Sequence, residues 1–277
     1  MGIVGSILLK GKEIYRTTSD KRHPLGTRGY TRDGRVFRYA RNGGVALAVG
    51  KLVQSEAPQT NLSDDLSVNI GVTSGAAAIN ITVTTVTTLN AFAGGYIFVN
   101  DGAGEGQMAQ ILSHTSASTG STLNSRMNIE LADGGIFTTA VSTGAVGTTD
   151  SEVGIVRNPY DKAIIAPATL TSVALGVTPR AVAVNYYFWV QTWGPAVVQV
   201  NSTGTGIPAA GFPLIPATVA GAVTRYWGYL STDDSSQSWA GGDVRVELIK
   251  YGHYPIGNCM EVGADGETGM VDLKLAP

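Results

Sequence analysis

The stretch "AVNYYFWVQTWGPAVVQV", Ala183 to Val200, is the densest apolar run in a chain of 277 residues. Side chains alternate across an extended backbone. Tyr186 and Phe188 therefore fall on one face, and Tyr187, Trp189 and Trp193 on the other. Aromatics on both faces require cover on both, so this segment is expected in the middle of a packed β-structure rather than at its surface. Gly194-Pro195 interrupts the run before "AVVQV". Proline cannot donate to a ladder and glycine favours bends, so the break predicts two strands that fold back on each other.

Working outward, the other patterned segments are also strand-like. "AINITVTT" sets Ile79, Ile81 and Val83 against Asn80, Thr82 and Thr84, and "MNIEL" sets Met127, Ile129 and Leu131 against Asn128 and Glu130. This period of two is that of a half-buried strand. "GGYIFVN" and "MAQILSH" flank the Gly-rich "DGAGEGQ", the arrangement of a hairpin. "VRVELI" alternates Val244, Val246 and Leu248 with Arg245, Glu247 and Ile249. Only "PATVAGAVTRYW" suggests a helical turn. With 36 glycines and 14% charged residues, the composition suits many short strands joined by turns. The fold class is therefore all-β, with barrel- or sandwich-like modules behind an extended basic N-terminal arm. Three segments are expected: the arm at 1–60 with a small hairpin and a first strand, a β-module at 61–150 whose residues 133–150 are linker-like, and a C-terminal β-module at 151–277. So little charge also suits a surface partly covered by partners.

Charge separates the arm from the rest. Residues 1–60 hold 11 Lys and Arg against 4 Asp and Glu, a balance of +7; residues 61–277 hold 8 against 17, a balance of −9. The cations concentrate in "KRHPLGTRGYTRDGRVFRYARNGG", Lys21 to Gly44, where Asp33-Gly34 carries a two-residue hairpin signal. Basic residues interleaved with aromatics mark either a nucleic-acid binder or a protein-docking arm. The acidic body would be repelled by a phosphate backbone, and no nucleic-acid-binding module pattern is present, so protein is the expected partner. A solvated tail is the bland alternative. The residues expected to make the contact are Lys21, Arg22, Arg28, Arg32, Arg35, Phe37, Arg38, Tyr39 and Arg41. Arginine's planar fork pairs with carboxylates, and Phe37 and Tyr39 share a strand face with Arg35 and Arg41.

Catalytic chemistry finds no foothold in the sequence. His23, His114 and His253 fit no zinc spacing, and neither a nucleophile elbow nor a phosphate-binding loop is present. No catalytic residue, cofactor or metal is expected. The acids of the Asp101–Gln107 loop offer oxygen ligands that Ca²⁺ could use; a plain hairpin loop is the simpler reading, and "TDDSSQ" is a similar acidic loop. Cys259 is the single cysteine, which excludes an intrachain disulfide and suits a small buried residue. No hydrophobic run approaches a membrane helix, and the start lacks the pattern of a secretory signal. "MGIVGS" meets a myristoylation spacing that arises readily by chance.

Three stretches resemble virion structural proteins of tailed bacteriophages. "DGRVFRYARNGGVALAVGKLVQ" is similar to their N-terminal segments, and "GGYIFVNDGAGEGQMAQILSH" to a strand-turn-strand module often found next. "NPYDKAIIAP…GVTPRAVAVNYYFWVQTWGPAVVQV" resembles the C-terminal β-module of capsid decoration, or head auxiliary (cement), proteins. The resemblance spans roughly half the chain. It implies a non-enzymatic protein, made in the host cytoplasm, that sits on the capsid exterior and stabilises the shell. The implied partners are the major capsid protein and sister subunits, often in trimers, with neither nucleic acid nor membrane. Rival expectations are another virion part, such as a head-fibre base or tail protein, and a carbohydrate-binding or hydrolytic β-protein with exposed aromatics beside paired carboxylates.

Overall fold

The computed structural model describes residues 5–118, 125–143, 150–201, 208–226 and 255–277. Within them lie seventeen strands and one short 3-10 turn, so the all-β expectation holds. The chain forms two compact units rather than the three segments expected. Residues 57–159 make one, and residues 1–56 together with 160–277 make the other.

The second unit is a closed antiparallel barrel. Its strands are β5 (Leu66–Ile70), β6 (Ala78–Thr82), β7 (Tyr96–Asp101), β8 (Met108–His114), β9 (Arg126–Leu131) and β10 (Glu152–Val156), in the order β10-β5-β6-β9-β8-β7. The alternation read in the sequence is the cause. Ile79 and Ile81 of β6 and Met127, Ile129 and Leu131 of β9 point inward, while Asn128 and Glu130 face out. A barrel of this size is filled by its own side chains. The β7–β8 hairpin forms as expected, with Phe98 opposite Met108. The linker expected at 133–150 is corrected: Phe137 and Val141, each 1% exposed, cap the barrel core, so burial of apolar loop side chains overrode the Gly-rich composition.

The first unit is an eleven-stranded sheet, ordered β1-β2-β3-β13-β17-β16-β14-β15, with β4, β11 and β12 attached. Its N-terminal strands are β1 (Ile7–Leu8), β2 (Arg28–Tyr30), β3 (Val36–Arg41) and β4 (Leu52–Gln54). After the barrel come β11 (Ile164–Ile165), β12 (Ala174–Val177), β13 (Tyr187–Gln199), β14 (Pro213–Pro216), β15 (Val223–Arg225), β16 (Gly257–Glu261) and β17 (Thr268–Lys274). The thirteen-residue β13 is the spine. Gln191 pairs with Phe37 on one edge and Val177 on the other; Trp193 pairs with Val36 on one edge and Lys274 on the other. Phe188, Trp189 and Val190 are buried, which confirms cover on both faces there.

Gly194-Pro195 does not split this run. β13 passes straight through it, with Pro195 opposite Asp272 of β17. The pairing with β3 shifts register between Gln191 and Trp193 and then ends. Proline is tolerated at such a bulge. The Gln191 amide donates to the Pro195 carbonyl at 2.7 Å and covers the irregular backbone. The helical turn expected in "PATVAGAVTRYW" is instead a β14–β15 hairpin, Pro216 opposite Val223. The "VRVELI" alternation, the "TDDSSQ" loop and His253 lie outside the described residues.

The largest difference concerns the N-terminal segment. It is no free arm: β3 pairs with β13 along Val36–Arg41, and Phe37 is 0% and Tyr39 3% exposed. A third interaction stitches its start to the spine, where Thr18 and Tyr187 exchange backbone bonds of 3.0 and 2.8 Å. The expected hairpin exists between β2 and β3. Its loop is one residue longer than the Asp-Gly signal implied. The Gly34 N–H closes a turn onto the Thr31 carbonyl, and Gly34 then adopts φ +87°, the left-handed step of a three-residue hairpin loop.

Candidate functional site

The residues expected to grip a partner are divided by the structure into three groups. Phe37 and Tyr39 are core side chains of the sheet, so their apolar area is already spent internally. That corrects their reading as contact residues: the face of β3 that carries them is packed under Leu9, Ile14 and Trp189. Arg28, Arg35, Arg38 and Arg41 are half-buried and have internal work. Arg41 forms a two-pronged bond to Asp161, at 2.6 and 3.0 Å, from a residue 120 positions away. Arg38 donates to the carbonyls of Gly26 and Pro277 at 3.3 and 3.2 Å. Arg35 pairs with Asp33 at 2.9 Å, and Arg28 reaches the Ser6 hydroxyl at 3.2 Å. Asp33 also accepts from the Thr31 hydroxyl, which, with Arg35 beside it, holds its carboxyl below the usual range. Lys21, Arg22 and Arg32 are exposed.

Two concave features lie on the sheet unit. The first is a socket of about 130 Å³. Its floor is aromatic: Tyr39 meets Trp189 edge-on at 5.1 Å, and His23 sits 5.1 Å from Tyr39 and 5.5 Å from Trp189. Ile7 and Leu9 complete the apolar wall, while exposed Glu13, Arg16 and Arg22 form the rim. Gly29 of β2 lets this cluster close up, because a Cβ there would sit 2.6 Å from Leu9 and 2.9 Å from Trp189. The sequence offered His23, Tyr39 and Arg22 within one stretch. It gave no sign that Trp189, Glu13 and Arg16 would join them.

The second feature is a groove of about 550 Å³ on the outward face of the spine. Val197 of β13 lies directly opposite Met270 of β17, and both are exposed, at 50% and 43%. Val49 (59%) and Tyr15 (46%) extend the apolar lining, and the Asp33–Arg35 pair closes one end. The signal that could have found it is "AVVQV": Ala196, Val198 and Val200 fill the core, yet Val197 between them is apolar as well.

The barrel carries a polar pocket of about 440 Å³, lined by Asp64, Asp65, Ser67, Thr82 and Thr84. The Asn100 amide donates to Asp65 at 2.8 Å. The paired acids line a pocket of the barrel, whereas the aromatic cluster belongs to the sheet unit. Among those residues no group of three or more His, Cys, Asp or Glu side chains is placed to hold a metal. In the Asp101–Gln107 loop, the Asp101 carboxylate accepts the Gly102 N–H at 2.7 Å, an ordinary turn contact. Cys259 is buried in the sheet core, which pushes its thiol up.

His114 is a structural residue of the barrel. Its Nδ1 lies 2.8 Å from the Thr115 carbonyl, and its Nε2 accepts the Phe92 N–H at 2.9 Å. These partners select the neutral tautomer with the proton on Nδ1. Burial pushes its pKa below the ordinary value; the Thr115 carbonyl opposes the shift and Arg157 reinforces it.

Comparison with protein-family models, with curated proteins and with solved structures found no match for this chain.

Proposed function

We propose that this chain is a virion structural protein that binds the outer surface of a bacteriophage capsid and stabilises it as a decoration protein. The observation that carries the reading is the exposed groove of Tyr15, Val49, Val197 and Met270. Apolar side chains clustered on an outward sheet face favour a protein surface that removes them from water. Methionine adapts to the surface it meets. The resemblance of three separate stretches to phage virion proteins supplies the identity of that surface, the major capsid protein. A binder that favours assembled over free subunits stabilises a shell by mass action. Exposed Lys21, Arg22 and Arg32 add an electrostatic contribution that salt weakens. Sister chains are expected to associate, with a trimer favoured through the resemblance alone.

The test is a pull-down with purified capsids across a salt series, with the wild-type chain beside a Val197→Ser/Met270→Ser variant. The expected result is wild-type binding that persists in part at high salt and a clear loss in the variant. Binding to DNA in place of capsids, or a reconstruction of the native particle that finds this protein in the tail, overturns the reading.

A further inference from the structure

We propose that the aromatic socket of the sheet unit receives one aromatic side chain from an acidic peptide segment of a partner. This goes beyond the capsid reading and does not depend on which protein carries the segment. Three observations lead to it. The first is size: about 130 Å³ is close to the roughly 150 Å³ apolar cavity that accommodates a benzene ring. The second is the floor. Tyr39 and Trp189 are almost fully buried, yet their edges, with that of His23, still line an open cavity. Edge-to-face contacts with an incoming ring are the geometry such a floor prefers.

The third is charge. Arg16 and Arg22 stand at the rim, and neither guanidinium has an ion-pair partner among the described residues. Glu13, the one acid there, accepts the Lys10 backbone N–H at 2.7 Å, with the cationic Lys10 and Lys12 beside it. The rim is also held in place before any ligand arrives. Arg180 donates to the Tyr15 carbonyl at 3.1 Å, and the Arg22 N–H donates to the Tyr39 hydroxyl at 3.1 Å. Preorganisation of this kind lowers the entropic cost of binding. A carboxylate on either side of the incoming ring would meet the two arginines. A nucleotide also combines a ring with negative charge. Its base and ribose, however, exceed the cavity.

The probe is the blocked peptide acetyl-Asp-Phe-Asp-Glu-amide, titrated into the full chain while the Trp189 indole and His23 ring resonances are followed by NMR. Saturable shifts of both are expected. They should disappear with acetyl-Asp-Ala-Asp-Glu-amide and weaken strongly with acetyl-Asn-Phe-Asn-Gln-amide. The surface variant Arg16→Ser/Arg22→Ser should bind the parent peptide about three- to tenfold more weakly, the range expected for two exposed ion pairs. Four outcomes overturn the proposal: no shift with the parent peptide, equal shifts with either control peptide, unchanged affinity in the double variant, or tighter binding of adenosine monophosphate than of the peptide.

Discussion

The barrel and the sheet are made from the same kind of strand, yet they draw on the chain in opposite ways. Every barrel strand lies between Leu66 and Val156, and its neighbours along the sequence are mostly its neighbours in space. The sheet joins Val36–Arg41 to Tyr187–Gln199, across the whole barrel sequence. Loop closure over such a distance is costly before contacts reward it. The barrel is therefore expected to tolerate loss of its surroundings, and the sheet is expected to fail as a whole when either end is removed.

The strongest way to break this comparison is deletion of residues 1–45. That removes β1, β2 and β3 and exposes one edge of β13. The expected outcome is loss of the sheet unit, with the barrel signals retained in an NMR amide spectrum. A variant that keeps both units folded would show that the N-terminal strands are dispensable. Next in size is Trp189→Ala, in a side chain packed against Tyr39. It should cost about 3–5 kcal/mol in the unfolding of the sheet unit. A loss below about 1 kcal/mol in reversible denaturant melts would place Trp189 outside the stabilising core.

Gly154→Ala probes the barrel in the same way. A Cβ there would lie 2.2 Å from the Ser63 carbonyl and 2.4 Å from the Phe98 ring. Overpacking of this kind costs roughly 1–3 kcal/mol, and only the barrel transition should move. His114 sharpens the contrast further. Its folded-state pKa is lowered, so the unfolded chain binds its proton first as pH falls. Stability is then complete above the unfolded value of about 6.5 and declines below it, towards the lowered folded value. Barrel melts should shift down over that window in wild type, and the shift should shrink in His114→Gln. The smallest effect is expected for Val197→Ser, within about 0.5 kcal/mol, because its side chain faces outward. A large loss in its melt would mean that the groove is structural.

The same contrast explains what the sequence could convey. "AINIT" and "MNIEL" revealed their barrel strands because one face of each is wet, and the wet face writes a polar residue at every second position. β3 conceals its role. Val36, Phe37, Tyr39 and Ala40 are all buried, but Arg35, Arg38 and Arg41 punctuate them and give the segment the look of a charged arm. Arginine stems lie along apolar surface while their heads reach out, here to the carbonyls of Gly26 and Pro277 and to Asp161. No local pattern reveals an acceptor 120 or 239 residues away. The socket was half legible for the same reason: Arg22, His23 and Tyr39 are near in sequence, whereas Trp189 arrives through pairing with β13.

At the neck of the barrel insertion, Gln54 of β4 pairs directly with Ile164 of β11, and Lys162 lies 3.7 Å from Glu56. To the sheet, the 103 residues from 57 to 159 are therefore the tip of a hairpin whose two stems are already fastened. A scaffold with such a tip is a carrier. Lineages could exchange the cargo there for another domain with adjacent ends while the sheet that carries it keeps its own pairing.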